Sequence, residues 1–251
     1  MPLPAADERH RPERPAYYAA RPGPWRDWWT LLHPPYTAWH LSYVVLGACL
    51  APQVRLAPLL AALAAFFLAV GVAAHALDEL HGRPLRTAIP AAVLIGAAVI
   101  SLAGAVAIGV AGVARVGWPL VPFLLAGPVL VIAYNAEWHQ GIVHTDLGFA
   151  AAWGAFPVLT AYVGETGRLD IAPVLAAGAA MGLSAAQRSL STPARTLRRK
   201  AASVAGRVTL ADGRVVTLDR ALLLAPLEQA LRVMSWSVVL LAAALAVARL
   251  R

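Results

Sequence analysis

The sequence predicts an all-α, polytopic membrane bundle of about seven spans. Three observations predict it. Of the 251 residues, 59% are hydrophobic and only 14% are charged, whereas a soluble domain carries about 45–50% apolar and about 25% charged residues. The mean hydropathy is +0.64. Apolar runs of membrane-crossing length also recur along the chain, separated by Pro and Gly breaks. This composition excludes disorder for most of the chain and argues against a soluble enzyme.

Residues 1–24 hold six prolines and several charges, and they predict a disordered, Pro-rich tail. The cluster Trp25-Arg26-Asp27-Trp28-Trp29, followed by His33-Pro34-Pro35-Tyr36, predicts a short amphipathic helix at headgroup level, because Trp and Tyr favour that layer. Spans are then expected near 37–52, 56–80, 88–113, 118–136, 146–163, 171–188 and 230–249, each close to the length a tilted helix needs. Together with the anchor helix, residues 25–190 form the membrane part that holds the first six spans. Their interiors are rich in Ala and Gly, which let helices approach closely in lipid. His33 and His40 read as interfacial or packing residues. Residues 191–229 read as a basic loop, and 230–251 as the last membrane helix. Within that loop, Val208-Thr209-Leu210 and Val215-Val216-Thr217-Leu218 flank Ala211-Asp212-Gly213-Arg214, a hairpin signature. Asp219–Leu231 reads as an amphipathic lead-in to the last span.

Charge orients the bundle. The chain has 21 Lys and Arg against 13 Asp and Glu. Sixteen of the cations fall in the N-terminal region, after the second span, or in and around the long loop after the sixth, so the positive-inside bias places the N-terminus and that loop in the cytoplasm. The localisation expected is an integral protein of a bacterial-type plasma membrane. Topology explains the basic excess, and no nucleic acid partner is needed. The single cysteine, Cys49, leaves no disulfide within the chain, and the N-terminus lacks the apolar core of a signal peptide.

Two polar clusters interrupt the apolar pattern. His75, Asp78 and Glu79 lie at i, i+3 and i+4, one face of a helix, with His81 a turn beyond. Tyr134, Asn135, Glu137, His139, His144 and Asp146 surround the junction of the fourth and fifth spans. Ionisable residues at membrane depth point to function, and both clusters fall at the same ends of their helices, where they face one cavity. Carboxylates at helical spacing suit Mg²⁺ and a bridged phosphate. The imidazoles suit Zn²⁺ or iron instead. Both metals remain open, with His75, Asp78, Glu79, His81 and His144 as the candidate ligands. Arg188, Arg195 and Arg198, with Arg83, Arg86, Tyr134 and Asn135, are the candidate substrate contacts.

These stretches, in this order, resemble the UbiA superfamily of intramembrane prenyltransferases. His33-Pro34-Pro35 through Leu46-Gly47 is similar to the family's opening segment. His75–Glu79 with Gly82-Arg83-Pro84-Leu85-Arg86-Thr87 occupies the place of its first Asp-rich motif. Tyr134-Asn135, Leu147-Gly148-Phe149 and Trp153 through Gly167 are similar to its fifth-helix region. The resemblance covers roughly residues 30–200. It implies an isoprenoid diphosphate donor, a lipid or aromatic acceptor, and Mg²⁺. It further implies proton removal by Glu137, His139 or Asp146. The departures are specific. His75 stands at the motif's Asn and Ala76 at its first Asp, and the second Asp-rich motif falls on Gln187-Arg188-Ser189-Leu190-Ser191-Thr192, which contains no acid. Arg188, Arg195 and Arg198 are expected to replace the second metal group, since cations neutralise diphosphate directly. Beside this reading stand a His/carboxylate metal enzyme acting on a lipid by cyclisation, hydrolysis or oxidation, and a non-catalytic subunit that binds a lipid or quinone.

Overall fold

A computed structural model describes residues 14–135 and 145–250. Its helices are α1 (Pro24–Leu31), α2 (Pro34–Cys49), α3 (Leu56–Leu80), α4 (Ala91–Val116), α5 (Trp118–Asn135), α6 (Asp146–Thr166), α7 (Ile171–Arg199) and α8 (Arg220–Arg249). Five of them, α3, α4, α5, α6 and α8, are long and apolar enough to cross a membrane. This is consistent with an integral membrane protein. Helix α2 has 16 residues, and the second half of α7 carries Arg188, Arg195, Arg198 and Arg199.

Helices α2 to α8 run alternately between two ends of the bundle. One end is tied by Arg249 to the carbonyls of Ala51 and Pro52, and by Arg55 to Glu165. The other end gathers the start of α2, the ends of α3, α5 and α7, and the starts of α6 and α8. Helix α2 is the central element. Trp39, Tyr43, Val44 and Ala48 are fully buried, and they join two core clusters with residues of α3, α5, α6, α7 and α8. Helix α4 lies at the periphery and exposes Val99 and Ile100, as a lipid-facing surface requires.

Small residues set the closest approaches. A Cβ on Gly47 would stand 2.2 Å from the Val158 carbonyl oxygen, and one on Gly154 would stand 2.6 Å from that of Ala180. Backbone contact of this kind needs glycine and gains dispersion along both helices. Helices α3 and α6 each contain a π-helical stretch, Phe67–Ala74 and Ala151–Ala155. The wider turn offers carbonyls at its rim, and imidazoles take two of them: His75 Nδ1 lies 3.0 Å from Gly71 O, and His40 Nδ1 lies 2.9 Å from Trp153 O.

Three boundaries differ from the sequence expectation. Residues 14–24, expected within the disordered tail, pack on the bundle, with Ala16 and Ala19 buried, because Tyr17 and Tyr18 supply aromatic contacts to it. Helix α7 continues through Pro193 to Arg199 rather than ending near 190. Its buried positions Ser184, Gln187, Ser191 and Ala194 keep helical spacing across the proline, so packing carries the helix past one lost hydrogen bond. Helix α8 begins at Arg220, ten residues before the expected span, because the amphipathic lead-in is continuous with it. Asp219 caps its start by accepting from Leu222 N at 2.8 Å. The hairpin forms as expected. Strands β1 (Gly206–Thr209) and β2 (Val215–Leu218) pair antiparallel with Thr209 opposite Val215, and Gly213 takes the left-handed conformation at φ 82°. Helix α1 also forms, exposing Trp25 and Trp29 while burying Asp27, Thr30 and Leu31.

Candidate functional site: a polar pocket beside an apolar groove

The end of the bundle where α3, α5 and α7 finish encloses a pocket of about 140 Å³. The π-helical stretches of α3 and α6, a feature frequent at functional sites, contribute Val70, Ala74 and Trp153 to its lining. His75 and Asp78 line it from α3, Tyr134 and Asn135 from α5, and Phe149 and Trp153 from α6. The last three turns of α7 bring Gln187, Arg188, Ser191, Arg195, Arg198 and Arg199. Helix α2 adds Tyr36 and His40, with His33 at its cap.

The cations are differently engaged. Arg188 pairs with Asp146, donates to Tyr134 Oη at 2.5 Å and lies 5.3 Å over the Phe149 ring. Arg198 grips Glu228 with two nitrogens, Nη2 at 2.8 Å. Arg195 reaches Thr192 Oγ1 at 3.3 Å. Arg199 donates from Nε to the Pro15 carbonyl at 3.1 Å. The pocket is therefore a cationic chamber with Asp78 as its counterweight.

His33 and His75 stack at 4.2 Å with 17° between their planes. Burial holds the His33 imidazole well below its usual value, helped by its neighbours His75, Arg199 and Arg195. Its Nε2 and the Oε1 of Gln187 are buried polar atoms without a hydrogen-bond partner among the described residues. Such atoms are costly unless something completes them.

Of the residues singled out from sequence, the fold brings together at this pocket His75, Asp78, Tyr134, Asn135, Arg188, Arg195 and Arg198. Asp146 sits at the rim, paired with Arg188 and exposed over 84% of its side chain. Glu79 lies elsewhere. It is fully buried, and its oxygens accept from Leu85 N, Thr87 N and Thr87 Oγ1, all at 2.9 Å. Arg83 donates to the Ile89 carbonyl at 2.6 Å within the same loop, and His81 and Arg86 are exposed. Glu137, His139 and His144 lie outside the described residues. Sequence reasoning missed Tyr17, Tyr18, Tyr36, Gln187 and Arg199, and it gave His33 and His40 packing roles. For Arg199 the signal was present, since it follows Arg188, Arg195 and Arg198 on the same helix at near-helical spacing.

A second cavity, about 420 Å³, adjoins the first. It is an apolar groove walled by α3, α4, α5 and α6, including Phe66, Phe123 and Phe156. Val70 and Trp153 line both cavities. From Ala57 to Val70 the α3 wall runs roughly 20 Å at 1.5 Å per residue. A polar chamber thus opens beside a hydrocarbon-lined channel of lipid-chain length. No family model, curated protein or solved structure matches the chain.

Proposed function

We propose that the protein is a divergent intramembrane prenyltransferase-like enzyme that binds an isoprenoid diphosphate, with the head among the arginines and the chain in the apolar groove. One observation carries this reading: the arginine-lined pocket and the apolar groove meet at Val70 and Trp153. An amphiphile with an anionic head and a long apolar chain is complementary to both halves at once. Guanidinium forks suit phosphate oxygens bidentately, and the resemblance to the UbiA superfamily points the same way.

The family reading implies Mg²⁺ held by acid-rich motifs. The described donors do not fit that group. Asp78 and Glu228 are the carboxylates among the described lining residues, Glu228 is gripped by Arg198, and Glu79 is turned to the 82–90 loop. Among the described residues no group of three or more His, Cys, Asp or Glu converges on one point, which leaves a Zn²⁺ or iron centre equally without a formed ligand set. Charge neutralisation of the head falls to Arg188, Arg195 and Arg199. In the reaction, the allylic C–O bond breaks and the diphosphate leaves with the electron pair, stabilised by these guanidiniums. The allylic cation forms beside the faces of Tyr134, Phe149 and Trp153, an acceptor's electron pair closes the new C–C bond, and Asp146 takes the proton that the acceptor sheds.

In this reading all seven long helices cross the bilayer, since α2 and α7 run the full height of the bundle beside the five apolar ones. The arginine bias then places the pocket, the N-terminus and the hairpin on the cytoplasmic side. A second reading, a lipid-binding subunit without catalysis, is favoured by the engagement of Glu228 and Asp146 in ion pairs with arginines.

Purified protein titrated with prenyl diphosphates of graded chain length tests the proposal. Binding is expected, weakened about tenfold or more by Arg188→Gln or Arg195→Gln. Release of inorganic diphosphate in the presence of aromatic acceptors separates enzyme from binder. Absence of binding to every chain length sinks the prenyltransferase reading.

A further inference from the structure

The polar pocket has a wall that does not come from the helices. Pro15, Ala16, Tyr17 and Tyr18 line it from the end of the bundle. Tyr18 sits against His33 at 5.1 Å and Tyr36 at 5.6 Å. Tyr17 meets Tyr36 edge-on at 6.3 Å and lies 4.9 Å beneath the Arg232 guanidinium. Ala16 and Ala19 are buried, and the Ala20 N–H is held by Thr30 Oγ1 at 3.0 Å. The segment crosses the start of α2, the end of α7 and the first half of α8, three elements that line the chamber.

Its backbone attachments are informative. Arg199 donates to the Pro15 carbonyl at 3.1 Å and Arg198 to the Arg14 carbonyl at 3.5 Å. Arg199 is thus engaged by a neutral carbonyl, a weaker partner for a guanidinium than an anionic oxygen, whereas Arg198 is also held by the Glu228 carboxylate. The aromatic contacts that hold the segment are individually small.

We propose that residues 14–20 form a strap that closes the end of the polar pocket, so that a ligand reaches the arginines sideways from the bilayer past Val70 and Trp153. An anion that recruits Arg199 competes with the strap for the same guanidinium, so anion binding and strap closure oppose each other by linkage. The identity of that anion as a diphosphate rests on the function proposed above. The strap itself rests only on the contacts just given.

The test is cysteine accessibility. Ser191 lines the pocket and is buried. In a Cys49→Ser background, Ser191→Cys is treated with the negatively charged reagent sulfonatoethyl methanethiosulfonate, in the full chain and in Tyr17→Ser/Tyr18→Ser. The strap predicts slow labelling in the first and about tenfold faster labelling in the second. Tyr17→Ser alone should label at an intermediate rate, and it replaces the double variant if that one loses its monodisperse elution in detergent. Equal rates in the full chain and the strap variants overturn the strap, whether or not a prenyl diphosphate binds. Inorganic diphosphate is added in a separate arm to the strap variant. Faster labelling that it suppresses supports strap and diphosphate site together. Faster labelling that it leaves untouched supports the strap and counts against the diphosphate reading.

Discussion

Asp78 and Glu79 are adjacent in sequence and opposite in consequence. Asp78 faces the cationic pocket, while Glu79 is sealed beneath the loop that follows α3 and holds it by three hydrogen bonds. That loop needs holding. Arg83 and Arg86 both adopt left-handed backbone conformations, at φ 52° and 57°, which cost a non-glycine residue about 1–2 kcal/mol each. Glu79 pins the intervening Leu85 and the following Thr87, so the strain is offset by charge-assisted bonds. Glu79→Gln should lower stability by about 1.5–3 kcal/mol, read as a fall in apparent melting temperature in detergent, with little change in headgroup affinity. Asp78→Asn should act on binding: removing a negative charge beside Arg199 should tighten an anionic ligand, read in a headgroup titration. Equal loss of affinity in both variants would restore the pair to a shared ligand-binding role. The i, i+3, i+4 spacing made His75, Asp78 and Glu79 legible as one face, but it could not show that the chain folds back over Glu79, since that depends on where the 82–90 loop lands.

Among the elements, α2 and α7 stand apart from the five helices long and apolar enough to cross a membrane, and the fold gives the reason. Helix α2 is surrounded by protein, with Trp39 donating to Tyr43 Oη at 2.5 Å and Ser184 from α7 reaching the same oxygen at 3.4 Å. A helix that touches protein on every side can carry hydroxyls and imidazoles that a lipid-facing helix cannot. Its contact with α6 depends on Gly47, and the contact of α6 with α7 depends on Gly154. Gly47→Ala should therefore force α2 and α6 apart and cost about 1–3 kcal/mol. Gly178→Ala and Gly182→Ala, where nothing lies within 4 Å, should be neutral or slightly stabilising through helix propensity. Thermal melting of the three variants side by side checks this, and equal effects would show that propensity rather than close approach governs these positions. The abundance of Ala and Gly was visible in the sequence. Which glycines are contacts was not, because a stripe of small residues has no partner until the neighbouring helix is in place.

At the scale of the whole molecule, alternation between two ends gives the topology its testable form. If α7 crosses alongside α3, α4, α5 and α6, as proposed, the turn at Gln53 and the hairpin turn at Gly213 lie on opposite sides of the membrane. Single cysteines at these positions in a Cys49→Ser chain should label from opposite faces of sealed vesicles, Gly213→Cys from the cytoplasmic side. Labelling of both from one face would mean that α7 does not cross. The same end-to-end alternation collects the polar residues. The ends of α2, α3, α5, α6 and α7, the first half of α8 and the N-terminal strap converge, and the groove runs from that chamber toward the opposite end between α3, α4, α5 and α6.

Sequence by itself determined the elements: helices at each of the seven expected places, the aromatic helix before them, the hairpin around Asp212-Gly213, and the concentration of arginine in and after α7. These follow from local rules of hydropathy, turn chemistry and charge, which act within one segment. Only the tertiary structure decided the site. It turned Glu79 away and brought Arg199 in. It recruited Tyr17 and Tyr18 from a segment that composition marked as a tail, and it set the polar pocket against the apolar groove. Pockets are made by the gaps between helices, and the width of a gap depends on residues in two segments at once: a glycine on one, a carbonyl on the other, a π turn between them. No single stretch of sequence contains that information.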